Sequence, residues 1–484
     1  MPLTADLLAG LRDLLGDRLR TDDAALAAWS HDASIVERQP AAVAIVKSRE
    51  EVSQAVRWAH ETGTPVVTRG GGTSLTGAAV PGVPEVLVLD LSGLDRIVAI
   101  DGQDLVADVE AGVVTADLAR AAEAQGLLYA PDPASLETST IGGNLATNAG
   151  GARGLKYGTT RHQVLGLEVV LADGSVLQTG SRTAKNATGY GLAHLFVGSE
   201  GTLGVITRAL LRLIPRPPAE RTVMAAFATP EAAAALVGRI LAAGILPASA
   251  ELMDGFCLRS VERLAPSGLP QGAEALLLLR LDGTELAATE AQEVVAELCR
   301  GSGATEVRLP RDRTEDERLW AARRSVTGAL EQVGPAKLGE DVVVPRGQVA
   351  AMLHRVAAVA ERHGLPIAVF GHIGDGNLHP NILFDPARPD EVARMRAAAG
   401  ELCQAALDLG GLPSGEHGIG ELKKDLLPLA LDPAALDLMR ALKSKLDPAG
   451  ILNPSKVFPD GRSLIQPPPD ARPAASLFGP LPDP

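Results

Sequence analysis

Between about Pro40 and Pro215 the chain alternates short apolar runs with segments of helical spacing. "AVAIVKS", "TPVV" and "EVLVLDLS" are strand-like, whereas "REEVSQAVRWAHETG" and "VTADLARAAEAQG" repeat apolar residues three and four apart. "RIVAIDGQDLVADVEAG" adds further strand-like sequence. Strands and helices therefore interleave, which predicts an α/β or α+β domain. The prolines of "PRPPAE", around Pro215 to Pro218, stop both helix and sheet and mark a boundary. Beyond it, helical "PEAAAALVGRILAAG", strand-like "EALLLLRLDG", helical "ELAATEAQEVVAELC" and then "ATEVRLP" predict a β-α-β-α-β order and a ferredoxin-like second domain. No short-period repeat is present. The last twenty residues read as a poorly ordered tail.

Length agrees with this division, because 484 residues exceed what one core usually serves. The net charge of -14 offers nucleic acid no general attraction, so any anionic ligand must be held by local cations. Cys257, Cys299 and Cys403 lie far apart with no CxxC pair, which excludes a ferredoxin-type cluster motif and points to a reducing compartment. The first twenty residues space leucines helically but interrupt them with Asp6, Asp13 and Asp17, as an amphipathic helix does and a secretory signal does not. No apolar run approaches the ~20 residues of a membrane span.

Three glycine-rich loops carry the first chemistry. "TRGGGTSLTG" (68–77) follows a strand-like run and presents amides that no side chain shields, yet it matches neither the dinucleotide nor the Walker fingerprint. "TSTIGGNLATNAGGARGLKYG" (138–158) repeats the theme with Asn144, Asn148, Arg153 and Lys156, and "GSEGTLG" (198–204) enters a third strand-like run. Two such loops suit a ligand with two phosphates and a flat ring, whose polar edge Asn144 and Asn148 would bond.

A second kind of motif follows. "FGHIGDGNLHP" (370–380) sets His372 and His379 seven apart around glycines, and alone it is equally a metal site, an anion turn or a bend. "SGEHGIGE" (414–421) adds Glu416, which would complete a set of two histidines and one carboxylate with open positions.

"PVVTRGGGTSLTG", "STIGGNLATNAGG" and "GSEGTLGVIT", in this order, resemble the flavin-binding domain of the FAD-linked oxidases related to vanillyl-alcohol oxidase. Within them the chain is similar to the branch of D-lactate dehydrogenase, glycolate oxidase and D-2-hydroxyglutarate dehydrogenase, from about residue 30 to residue 460. The resemblance implies an α+β protein with an N-terminal helical segment (1–36) and an FAD-binding domain (37–217). A ferredoxin-like substrate domain holding the metal site (218–440), a C-terminal segment returning to the flavin (441–460) and a tail (461–484) follow. It implies flavin contacts from Arg69, Gly70, Gly71, Gly72, Thr73, Ser74 and Gly77 in the first loop. The second would contribute Pro131, Ser135, Thr138, Gly142, Gly143, Asn144, Asn148, Gly150, Gly151 and Gly158. Glu200, Gly204, Val205 and Ile206 follow in the third, and Asn453 and Lys456 in "LDPAGILNPSKVFP". The first loop has no histidine or cysteine to form a covalent link, so non-covalent FAD is expected.

The same resemblance implies that His372, His379 and Glu416 hold a divalent cation, zinc first and manganese or iron otherwise. Arg323, Thr327, Lys337 and Asn381 would bind the substrate. Arg323 and Thr327, four apart, share one face of a predicted helix. His417, beside Glu416, is the expected base. The reaction implied is oxidation of a D-2-hydroxy acid (D-lactate, glycolate or D-2-hydroxyglutarate) to the 2-keto acid. The cation would assist loss of the hydroxyl proton, and hydride would pass to the flavin. Electrons would then leave to a quinone, a cytochrome or an electron-transfer protein. The expected location is the cytoplasm, with peripheral attachment to the inner membrane left open, and a homodimer is compatible. Two other readings stand beside this one. A metal-dependent hydrolase leaves the glycine loops unexplained, and a non-catalytic flavin-fold component of a larger oxidase leaves the complete ligand set unexplained.

Overall fold

The structure, a computed structural model, describes residues 3–475. Strands Ala42–Ile45 and Val66–Arg69 flank Leu87–Asp90 in a parallel sheet, and helix Arg49–Thr62 makes the crossover between the first two. Ser48 starts that helix by accepting the Glu51 N–H, and Gly63, at φ +68°, ends it in the left-handed region that favours glycine. Its stripe of Val52, Ala55, Val56 and Ala59 is buried. A second, antiparallel sheet runs Ile97–Asp101, Val106–Glu110, Val205–Arg212, Val164–Val170, Val176–Gly180. Residues 451–453 return to the first sheet, where Asn453 N–H donates to Val66 O at 2.7 Å.

The second domain is one eight-stranded antiparallel sheet. Its strands are β1 (Ala219–Phe227), β2 (Ser249–Asp254), β3 (Ala275–Gly283), β4 (Glu306–Arg308), β5 (Ala336–Gly339), β6 (Val342–Val343), β7 (Ile367–His372) and β8 (Asn377–Phe384). Their order is β4-β1-β3-β2-β7-β8-β5, with β6 also on β8. With the helices after β1 and β3, the first four strands are ferredoxin-like. The β-α-β-α-β expectation lacked β2 and the helix Gly255–Leu264 after it. A mirrored half continues the sheet: β5 and β6, helix Val349–His363, β7, β8 and helix Pro389–Asp408. The halves meet where β2 pairs with β7.

Alternation along the strands divides their side chains between two layers. Ala250, Leu252, Val369 and Ile382 join the core under helices Pro230–Ala242, Glu285–Arg300, Val349–His363 and Pro389–Asp408. Met253, Phe370 and Leu383 join the other, with Leu258, Leu319 and Leu330. Glu251, His372, His379 and Asn381 are in phase with this second face.

Two expected boundaries change. A division at 440/441 falls inside helix Pro433–Leu446, whose periodicity runs through it. The expected tail is docked as far as it is described: Ile465 is fully buried, and Arg472 exchanges hydrogen bonds with the Gln404 side chain. Backbone groups do this work, so composition did not signal it. Residues 476–484 lie outside the described residues.

Candidate active site

The first two glycine loops press together, backbone against backbone. A Cβ on Gly70 would overlap Thr140 Oγ1, one on Gly71 would overlap the Thr138 carbonyl, and one on Gly142 would come within 2.8 Å of Ala111 Cβ. Glycine is required here because no side chain fits. These loops and Glu200, Gly204 and Ile206 enclose a cavity of about 440 Å³. Arg69, Gly72, Thr73, Ser74, Pro133, Ser135, Thr138, Gly143, Asn144 and Gly150 also line it. Gly77, Pro131, Asn148, Gly151, Gly158, Val205, Asn453 and Lys456 stand outside the lining. The two asparagine amides are occupied within the fold: Asn144 Nδ2 donates to Thr115 Oγ1 at 2.7 Å, and Asn148 Oδ1 accepts from Arg161 N–H and Thr159 Oγ1. Asn453 Nδ2 holds the carbonyls of Ala78 and Glu200, and buried Lys456 pairs with Glu421 at 2.7 Å.

The histidine pair is the two arms of a hairpin. His372 ends β7, His379 lies on β8, and Gly376 takes φ +89° in the turn, so both imidazoles reach one point. Nε2 of each lies 3.3 Å from Glu416 Oε1, and donor atoms of all three residues fall within 4.8 Å of one another. His379 Nδ1 is buried without a partner. Two imidazoles and a carboxylate converging in this way fit a divalent cation. Burial opposes charge on both His372 and Glu416, but their attraction outweighs it. Glu251 and Glu416 raise His372 well above its usual range, and His372 and His379 hold Glu416 well below its own.

The cation cluster abuts the cavity. Glu416 and His417 line it, and a Cβ on Gly150 would lie 2.5 Å from Glu416 Oε2. His417 stacks on His379 with centroids 5.0 Å apart, and burial lowers its pKa to about 4, so the ring is neutral near pH 7. Asp341, Glu251 and Asp375 were not singled out in the sequence. Asp341 Oδ2 accepts Ser414 Oγ–H and the N–H groups of Gly415, Glu416 and His417, all at 2.8–2.9 Å. A second candidate cation set, Asp341, His379 and His417, therefore has its carboxylate already committed. Burial pushes Asp375, beside His372, up to about 6. Glu251 and Asp375 are single acids in an apolar and a glycine run, and Asp341 follows Glu340 directly before an apolar run, which is the signal available for them. Glu200 lines the cavity, yet its carboxylate accepts Ile419 and Gly420 N–H at 2.8 Å each, so it ties the third glycine loop to the loop of Glu416.

The expected substrate residues divide. Thr327 and neighbouring Arg324 line the cavity. Arg323 lies at the cation cluster, with its guanidinium 2.6 Å from Glu251 and 4.7 Å over Phe370. Asn381 donates to His379 O at 2.8 Å. Lys337 stands opposite Leu383 on the active-site face, 3.5 Å from Glu331, outside the cavity lining.

Residues 40–180 match the family described as "FAD binding domain", and residues 216–457 match "FAD linked oxidases, C-terminal domain". The chain belongs to the FAD-linked oxidases. This FAD-linked oxidase is 42% identical to "Glycolate oxidase subunit GlcD" of Bacillus subtilis, over 89% of the chain and 92% of the relative. It is 38% identical to "D-lactate dehydrogenase" of Archaeoglobus fulgidus, over 84% and 89%. The solved structure of p-cresol methylhydroxylase with substrate bound superposes with a TM-score of 0.80 at 19% identity, covering 94% of this chain and 96% of that one. A 4-ethylphenol oxidase from Gulosibacter chungangensis gives 0.77 at 20%, over 96% and 98%. These two neighbours establish the vanillyl-alcohol-oxidase-type fold. The oxidase carries an FAD-binding domain, and the hydrolase reading falls. Among the described residues no helix is long and apolar enough to cross a membrane.

Proposed function

We propose that this FAD-linked oxidase dehydrogenates a D-2-hydroxy acid of the glycolate, D-lactate or D-2-hydroxyglutarate class to the 2-keto acid. The observation that carries this reading is that Glu416 and His417 line the cavity while His372 and His379 converge on Glu416, with Arg323 joined to His372 through Glu251. The names of the relatives support the substrate class.

His372, His379 and Glu416 would hold zinc, or manganese or iron, whose Lewis acidity acidifies a hydroxyl. FAD, held non-covalently by the glycine loops, supplies the two-electron acceptor for the C2 hydrogen. The rest falls to the protein's own side chains. Arg323 binds and orients the substrate carboxylate, its planar guanidinium matching that group. Thr327, Lys337 and Asn381 complete the polar contacts. His417, kept neutral by burial, accepts the hydroxyl proton on a ring nitrogen. Packing of Phe370 and His379 against one another excludes water from this end of the site.

Reoxidation is by a quinone, a cytochrome or an electron-transfer protein, at the cytoplasmic face or in the cytoplasm. A relative named as one component of an oxidase supports a protein partner.

Anaerobic mixing of the yellow enzyme with a panel of D- and L-2-hydroxy acids tests the reading. Bleaching of the flavin by one D-acid, or by glycolate, with release of the 2-keto acid is expected. A flavin left fully oxidised by every acid overturns it.

A further inference from the structure

Glu251 sits where the two halves of the sheet meet, directly opposite His372 in the β2–β7 register, and is 1% exposed. Its two carboxylate oxygens have different partners. Oε1 accepts from His372 Nδ1 at 2.7 Å, and Oε2 lies 2.6 Å from Arg323 Nη2 in an ion pair. Arg323 is pinned on its other side by the Phe370 ring, and its Nε is buried without a partner.

We propose that Glu251 is a positioning residue that couples the cation site to the substrate-carboxylate clamp, one oxygen serving each. This rests on the function proposed above for His372 and Arg323. A hydrogen bond from Nδ1 fixes the histidine tautomer and ring plane and leaves Nε2, the nitrogen beside Glu416, to face the cation. The Oε2 contact holds the guanidinium beside the cluster, and among the described residues the buried Nε has no hydrogen-bond partner. Only an acceptor at both ends can do this. A glutamine of the same shape has one oxygen and one NH2 group, so it would set a donor against either Arg323 or His372 Nδ1–H. In the latter case His372 would change tautomer and place its hydrogen where the cation binds.

The test is Glu251→Gln, purified with flavin bound and titrated with Zn²⁺ and Mn²⁺ against a chromophoric chelator. Cation affinity is expected to fall 10–100-fold, as loss of an anchoring carboxylate behind a metal histidine does, with the flavin spectrum unchanged. In steady state, KM for the hydroxy acid rises in Glu251→Gln and in Arg323→Ala, and the double variant is no worse than Arg323→Ala alone. A cation affinity within twofold of wild type, or KM effects that simply multiply in the double variant, overturns the proposal. If the glutamine variant does not bind flavin, Arg323→Ala alone decides. Releasing Glu251 from its second partner must then tighten cation binding severalfold, and an unchanged value overturns the coupling. The cation titration needs no turnover. A failed substrate panel with a weakened cation site therefore condemns the proposed reaction and not the coupling.

Discussion

Asp341 and His417 are joined at 2.9 Å through the His417 backbone N–H, and the accepting oxygen also holds Ser414, Gly415 and Glu416. Asp341 has no exposed surface, and its other oxygen takes Asn377 Nδ2 at 2.7 Å. Burial works against the charge, but His417 while its ring is protonated, and Lys423 throughout, more than offset it, so Asp341 is held well below the usual carboxylate range. One buried carboxylate thus sets the course of the chain through Glu416 and His417, the proposed cation ligand and the proposed base. Asp341→Asn keeps the shape and removes one acceptor, leaving donors of the 414–417 loop unmatched, each at a cost of about 1–3 kcal/mol. The expected result is a kcat reduced at least tenfold with flavin content retained, measured by stopped-flow reduction of the bound flavin.

His372→Ala and Glu416→Ala each delete one of three converging donors. Both variants should be yellow but cation-free by elemental analysis, and inactive. Stoichiometric cation in either variant would remove that residue from the ligand set.

Gly71→Ala tests the cradle. The added methyl would collide with the Thr138 carbonyl, which is backbone and has no rotamer to change. Purified protein should lose most of its flavin absorbance, whereas Gly238→Ala, on a helix with open space around it, should keep all of it.

Glu200 predicts a pH dependence. Burial raises its pKa to about 7 from the usual 4.5, so between these values the folded chain holds a proton that the unfolded chain has released. Stability contributed by this group therefore falls as pH rises through that window. The whole contribution is up to roughly 3 kcal/mol at 1.36 kcal/mol per unit. Glu200→Gln lacks the titrating group, so its melting temperature should decline less than the wild type's from pH 4.5 to 7.5. Parallel profiles would show that Glu200 does not titrate there.

Arg323→Ala should raise KM for the hydroxy acid tenfold or more, a charge-assisted bidentate contact being worth about 1.5–3 kcal/mol, with flavin content unchanged. An unaltered KM would take Arg323 out of the substrate site.

What was readable in the sequence is what is local in it. The glycine loops are short and self-contained, and His372 and His379 share one hairpin, so the motifs that carry the family resemblance were readable, although spacing alone left the histidine pair open. Glu251 lies 121 residues from His372, and Asp341 lies 76 from His417. No pattern links such pairs before the sheet is built. The asparagines of the second loop show the same limit: Asn144 lines the cavity, but its Nδ2 is held by Thr115 from another element, a contact no local spacing signals. The second strand of the second domain was missed because "ASAEL" carries an acid in mid-run, the acid that meets His372 once the sheet is built. The mirrored half-sheet escaped notice because backbone pairing, not repeated residues, defines it.

The pairing of β2 with β7 makes the cluster a property of the joined sheet. Glu251 comes from the first ferredoxin-like unit and His372, His379 and Glu416 from the second or the chain after it. Neither unit alone holds the cluster with Glu251 behind it, and either alone would leave a strand edge unpaired, so whatever loosens that seam loosens the cluster with it.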